Sequence, residues 1–287
     1  VEAELLRHVT EGLNIVIVPS EGVITETDNP VKAIRERPKA SMVEAAKLVK
    51  SGQADAMVTM GSTGAAMASA TLVVGLLDGV ARPALGGPMF RPLSSAVLID
   101  VGSSVDCRPS QMLGFAALGT AFARSIQKIK NPRVGLLSVG AEEGKGNRQT
   151  KEAYPVFKSS NLNFIGNVEG WDFFLDKVDV VVCDGFVGNI LLKFAEAMGD
   201  SLYEFLKNSL RTKMDANELE ALATTIWGLT NRSRMSSGPF FGVRGNVVVG
   251  HGAARYEEVA AAIITANRCI EVDLLDSIRR ELDVFQR

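Results

Sequence analysis

The chain has 287 residues, 46% of them hydrophobic and 22% charged, with a formal net charge of −2. That is ample apolar material for one large α/β domain, and the near-neutral balance gives no reason to expect a nucleic-acid partner. Cys107, Cys183 and Cys269 are an odd number without metal-ligand spacing, and His8 and His251 alone exclude an H-E-x-x-H zinc site, so a cytoplasmic protein without metal or other cofactor is expected.

In chain order, the first clear signal is Ser41-Met42-Val43-Glu44, read as a capping box that opens a helix through Lys50 and closes at Ser51-Gly52. Residues 56–77 then carry no formal charge over 22 positions, long enough to raise the question of a membrane span. Gly61, Gly64 and Gly75 interrupt them, and the segment divides into a strand at 56–59, a loop and a helix. The same unit recurs: apolar runs at 96–99, 134–137, 178–183 and 247–249 each end in a glycine-containing loop, and helical patterns follow at 109–128, 147–158, 189–212 and 254–283. Alternation of this kind predicts a three-layer αβα Rossmann-like sandwich with a mostly parallel sheet, formed by residues 1–287 as a single α/β domain.

The stretch 189–243 breaks the rhythm. It offers helical patterns at 189–212 and 215–229 and no strand, and is expected to form a helical insertion that projects as a pair. Leu191, Leu192, Phe194, Ala195, Met198, Leu202, Phe205, Leu206 and Leu210 form a stripe too broad for a solvated helix. A homodimer that covers it is the reading taken. Trp227, with Arg232 and Arg234 beyond it, suits a peripheral contact with anionic lipid, while Lys207, Arg211 and Lys213 suit an acidic protein partner.

Five loops stand at the carboxyl ends of predicted strands, where open α/β sheets bind ligands. They are Gly61-Ser62-Thr63-Gly64, Gly102 to Asp106, Gly140 to Asn147, Asp184 to Asn189, and Gly250-His251-Gly252. Glycine admits close backbone approach and helix starts favour negative charge, so one crevice holding a phosphate or phosphorylated ligand is expected. Lys145 between Gly144 and Gly146 is the most specific feature, placing an ammonium where backbone amides also meet an anion. It is not a Walker A loop, because neither Ser nor Thr follows Lys145, and no G-x-G-x-x-G follows the first visible strand. Cys107 invites a nucleophile with His251 as a distant base, but a small buried cysteine at a strand end is the reading preferred.

These loops, in this order, resemble the phosphate acyltransferase family (PlsX type). The matching residues are Gly61-Ser62-Thr63-Gly64-Ala65, Asp100-Val101-Gly102, Val105-Asp106-Cys107 with Pro109, Glu142-Glu143 with Lys145-Gly146-Asn147, Asn167-Val168-Glu169-Gly170 with Asp172, Asp184-Gly185-Phe186 with Gly188-Asn189, and His251-Gly252. The likeness runs from about Asp28 to about Ala266. The family's first strand with its Asp-Ala-Met-Gly-Gly-Asp loop has no counterpart, Ser62 and Ser104 stand where the family usually has Asn, and Ala141 and Gly144 depart from its Glu-rich loop.

The resemblance implies transfer of a fatty acyl group from acyl-acyl carrier protein to inorganic phosphate, giving acyl phosphate for phospholipid synthesis. Phosphate would attack the thioester directly, with donors held toward the oxyanion. On this resemblance Lys145, Asn147, Asn189 and His251 are the candidate catalytic residues. Gly61, Ser62, Thr63, Gly64, Asp106, Glu143, Gly146, Asp184, Gly185 and Gly188 are the candidate phosphate- and substrate-binding residues. Alternatives are a phosphotransacetylase-like enzyme using acyl-coenzyme A and a non-catalytic protein that binds acyl carrier protein or lipid. A decarboxylating dehydrogenase would need an acidic metal cluster and a nucleotide-reading loop, and neither is visible.

Overall fold

A computed structural model describes residues 7–8, 12–90, 92–230, 238–252 and 254–285. Its strands are β1 Ala56–Thr59, β2 Ala84–Pro88, β3 Val97–Ile99, β4 Val134–Leu137, β5 Phe164–Val168, β6 Val180–Val182, β7 Gly238–Phe241 and β8 Asn246–Val249. They form one sheet in the order β1-β8-β7-β2-β3-β6-β4-β5. The helices are α1 Pro30–Glu36, α2 Ser41–Lys50, α3 Thr63–Ser69, α4 Pro109–Ser125, α5 Arg148–Lys158, α6 Gly185–Leu210, α7 Ala216–Thr230, α8 Tyr256–Glu271 and α9 Leu274–Phe285.

Side chains alternate across the sheet, and the two faces bury different helices. On β3, Val97 and Ile99 pack with Phe115 of α4, Phe157 of α5 and Cys269 of α8, whereas Leu98 packs with Leu191 and Leu192 of α6. Val180, Val181 and Val182 divide in the same way. The three layers expected from the alternation are present. No described helix is long and apolar enough to cross a membrane.

Several expectations need correction. The stretch 189–243 is not free of strands: β7 returns to the sheet at Gly238–Phe241. β2, with Gly86-Gly87-Pro88, and β5, with Gly166-Asn167, were also absent from the sequence reading. The Ser41 capping box does not form. Ala40 is the N-cap without a side-chain bond, and Glu44 accepts instead from Lys47 Nζ at 2.7 Å. The pattern at 254–283 is two helices, broken at Val272-Asp273, where Asp273 adopts a φ of 48°.

The largest correction concerns direction. β1 and β8 are parallel to each other, and β3, β6, β4 and β5 are parallel to one another. The two groups are joined through β7 and β2 by three antiparallel pairings, so they run in opposite senses. The five glycine loops therefore leave the sheet in two sets, one after β3, β4 and β6 and one after β1 and β8, rather than along one edge.

Candidate functional site

The first set is organised by Asp100, a carboxylate buried at the end of β3. Its Oδ1 accepts from the backbone N–H of Gly102 at 3.1 Å and of Ser103 at 2.9 Å. Its Oδ2 accepts from Ser104 N–H at 2.7 Å and from the Ser103 hydroxyl. Burial pushes this carboxyl up from the usual aspartate range, against the pull of the donors around it.

Helix α6 enters against the same turn. Gly185 N–H donates to Ser104 O at 2.7 Å, and the Asp184 carboxylate caps the helix by accepting from Val187 N–H at 2.8 Å. A Cβ on Gly188 would lie 1.8 Å from Asp100 O, so only glycine permits this approach. Asn189 sits across from Gly102, whose φ is 142° and whose Cβ position lies 3.5 Å from Asn189 Oδ1. Asp184 is also pushed up, by burial first and then by nearby Asp106. The third loop of the set is tied in by Gln149, which donates to Cys107 O at 2.6 Å.

Within Gly140 to Asn147, Lys145 N–H donates to Glu142 O at 3.0 Å, and Asn167 Nδ2 donates to the same carbonyl at 2.8 Å. The Asn147 side chain caps α5 by accepting from Thr150 N–H at 2.8 Å. Gly146 takes a φ of 104°, and a Cβ there would press on Thr150 and the Ser138 hydroxyl. Glu143 accepts from Lys158 at 2.9 Å. No hydrogen bond or ion pair among the described residues engages the Lys145 ammonium, which stands exposed beside these loop amides.

The second set is smaller. Gly250 N–H donates to Thr59 O at 2.9 Å, Gly61 N–H donates to Thr59 Oγ1 at 3.1 Å, and Ser62 caps α3 toward Ala65 N–H at 3.5 Å. Gly252 lies over Met60 O, with its Cβ position at 3.6 Å. This set lines a cavity of about 530 Å³ through Gly61, Thr63 and Gly250-His251-Gly252. The cavity also touches Val101, the neighbour of Gly102, so it links the two sets.

The structure thus brings Gly61, Thr63 and His251 together in the cavity wall, and Asp184, Gly185, Gly188 and Asn189 together around Asp100. Ser62, Gly64, Asp106, Glu143, Lys145, Gly146 and Asn147 do not line the cavity. Sequence reasoning missed Lys193, Glu196 and Arg268, which do. Lys193 and Glu196 fall four and seven positions after Asn189, one helix face, and that spacing was the available signal.

The cysteines are poor nucleophiles. Burial, then Asp100 and Asp184, push the Cys107 thiol up to about 11, and its Sγ–H faces Ser104 O at 3.5 Å. Burial likewise pushes Cys183 up, and Cys269 up to about 11.

Residues 1–276 match the family model described as "Fatty acid synthesis protein". A protein of Clostridium acetobutylicum named phosphate acyltransferase is 39% identical over 287 residues, covering 99% of this chain and 87% of that protein. Another of that name, from Desulforudis audaxviator, is 38% identical over 282 residues, covering 96% and 84%. Among solved structures, a phosphotransacetylase from Streptococcus pyogenes superposes with a TM-score of 0.54 at 19% identity, over 84% of this chain and 70% of that one. The EutD phosphotransacetylase from Staphylococcus aureus gives 0.55 at 15%, over 93% and 84%. At those identities the likeness is one of fold.

Proposed function

Because the chain belongs to the phosphate acyltransferase family and is an acyltransferase that uses phosphate, we propose that its acyl donor is a fatty acyl group on acyl carrier protein and its product an acyl phosphate for phospholipid synthesis. Phosphate oxygen attacks the thioester carbonyl carbon, the carbonyl oxygen takes the charge, and the carrier thiolate leaves as the carbonyl re-forms. The observation that carries direct attack is the state of Cys107: a buried thiol held up to about 11 does not supply a thiolate near neutral pH.

In this reading Lys145 and nearby loop amides hold the phosphate dianion, and Asn189, across from Gly102, faces the developing oxyanion, while the amides bonded to Asp100 hold the turn in place. One such donor is worth roughly a hundred- to a thousandfold in rate. His251 on the cavity wall protonates the leaving thiolate where a proton is needed. The Asn147 carboxamide oxygen is occupied by its cap, which fixes the chain beside Lys145 at the mouth of α5, while its Nδ2–H₂ group keeps the donor role toward an anion.

The test is purified protein with acyl-acyl carrier protein, with and without inorganic phosphate, trapping acyl phosphate as hydroxamate and counting released carrier thiol. Phosphate-dependent hydroxamate supports the reading. Thiol release without phosphate, or turnover of acyl-coenzyme A alone, overturns the donor assignment. A carrier protein bound without turnover marks a binding protein.

The homodimer belongs to the same proposal. Phe186, Ile190, Phe194, Met198 and Leu202 recur every four residues along α6, are 36–61% exposed, and continue into Phe205 at 64%. A second copy covers such a stripe, while Leu191, Leu192 and Ala195 on the other side of the helix serve this chain's own core. Light scattering at micromolar protein that returns a 30.7 kDa species sinks it. Membrane contact was expected at the tip of the helix pair on Trp227, but Trp227 donates to Asp200 Oδ1 at 2.8 Å well along the pair from its turn at 211–215; Arg232 and Arg234 lie outside the described residues. Liposome flotation undiminished by Trp227→Ala and Ile226→Ala would place any such contact elsewhere.

A further inference from the structure

The ladder between β2 and β7 is two pairs long, Ala84 with Phe241 and Leu85 with Phe240, although both strands continue. Beyond Leu85, β2 stays paired to β3 through Gly86, Gly87 and Pro88, and β7 stays paired to β8 through Pro239 and Gly238. The ladder therefore lapses, with Gly238 still close to Gly86 (its Cβ position 3.6 Å from Gly86 O) before a fork at Gly87 and Pro88, and the residues that bound the fork carry either no side chain or a proline without an N–H to donate.

The cavity of about 530 Å³ occupies this fork. Its lining includes Leu192 of α6, on the Leu98 face of the sheet, and Phe122 of α4 with Cys269 of α8, on the Ile99 face. The fork is thus a slot that opens to both layers. Met89, Ile126 and Ile264 add apolar wall, buried Glu196 adds a carboxyl to it, and exposed Lys193, His251 and Arg268 mark the rim.

We propose that this slot holds the acyl chain of the substrate, with the carbonyl left at the polar rim. The inference rests on the acyltransferase reading and adds to it the place where the tail goes. A long unbranched hydrocarbon needs a narrow, deep apolar channel rather than a broad pocket, and a volume in the range of about 300–1,000 Å³ suits a ligand of that class. Gly86 and Gly87 form the floor. The two differ in kind. A Cβ on Gly86 would meet Leu98 O at 2.4 Å, so Gly86 is needed for strand packing, whereas a Cβ on Gly87 meets nothing within 4 Å and points into open space on the Leu192 side. Gly87 is therefore the position at which the slot is shut without disturbing the strand.

The experiment compares the parent with Gly87→Leu and Gly87→Ala, using butanoyl and hexadecanoyl thioesters of acyl carrier protein and the phosphate-dependent hydroxamate readout. Gly87→Leu is expected to lose kcat/KM for the hexadecanoyl donor by roughly tenfold or more, the scale on which apolar pockets discriminate chain length, and to keep the butanoyl rate. Gly87→Ala is expected to fall between, with both variants melting within a few degrees of the parent. Equal loss on both donors, or no loss on either, overturns the slot while leaving the acyltransferase reading intact. A parent that forms no hydroxamate from either donor defeats the reading itself. Should Gly87→Leu fail to fold, the graded effect of Gly87→Ala on the two donors decides in its place.

Discussion

Gly188→Ala is the sharpest perturbation of the Asp100 turn. Alanine is worth about 1 kcal/mol more than glycine inside a helix, so propensity alone would make the variant more stable. Contact opposes it: the new methyl would stand 1.8 Å from Asp100 O, 2.9 Å from the attached carbon and 3.0 Å from Val101 Cα. Ordinary contact starts near 3.5 Å, so α6 and the turn must separate by roughly 1.5 Å. Neither side yields cheaply, because Asp100 is held by the N–H groups of Gly102, Ser103 and Ser104 and α6 by its bond from Gly185 to Ser104. Overpacking of this sort costs about 1–3 kcal/mol, and against backbone the upper half applies, leaving a net loss of about 1–2 kcal/mol after the helix gain. The effect on rate is larger, since a displacement of about 1 Å in a positioned group costs on the order of a hundredfold, or about 2.7 kcal/mol of barrier. Urea unfolding and hydroxamate formation read the two quantities. Gly144→Ala is the control, since nothing lies within 4 Å of its Cβ position. A Gly188→Ala protein with parental midpoint and parental kcat/KM would refute the close-approach reasoning, as would equal damage in the control.

Cys107→Ala is expected to retain acyl phosphate formation within a few-fold, and mass spectrometry during turnover is expected to find no acylated Cys107; a trapped adduct would reverse the mechanism. Lys145→Ala is expected to weaken phosphate binding by roughly ten- to a hundredfold, the worth of a charge-assisted contact, and calorimetry with millimolar phosphate measures it. For Asp179, burial pushes the carboxyl up, but Arg133, bonded at 2.9 and 3.0 Å, holds it below its ordinary 3.8. Its contribution is thus complete above about pH 3.8 and lost as the pH falls through the folded value, so Asp179→Asn is expected to cost about 1–2 kcal/mol at pH 7, partial exposure of Arg133 allowed for, and progressively less in acid.

Strands buried on both faces were legible from sequence because burial on both sides writes a continuous apolar run, as at Val134 to Leu137 and Val247 to Val249. β2 and β7 were not. Gly86-Gly87-Pro88 and Gly238-Pro239 have the composition of turns, and only their neighbours' ladders make them strands. Direction was invisible for a related reason. A valine run does not state which way it points, and the reversal between β8 and β3 is made by the two strands that could not be read. The glycine loops were visible as loops, since a glycine between an apolar run and a helix is a local signal. That Gly185 and Gly188 exist to clear Asp100 is a tertiary fact, and no spacing in the chain announces it.

The parallel pairing of β1 with β8 has a temporal consequence. Asn246 donates to Asp55 O across 191 positions, and among the described residues β8 is the strand beside β1. A ribosome adding about 5–20 residues per second needs roughly ten to forty seconds to reach β8 after β1 has been made. Through that interval Met57, with Ala65, Ala66 and Ala70 behind it, has helices to collapse on but waits for the β8 ladder. Pairing so distant in sequence closes a long loop before any return arrives, which slows folding and lengthens the exposure of an unpaired edge. The half of the sheet around β3, β4, β5 and β6 is complete by residue 182 and does not wait. Nascent chains halted between these points should carry a finished half-sheet and a sticky amino-terminal layer, the state in which a chaperone would be met.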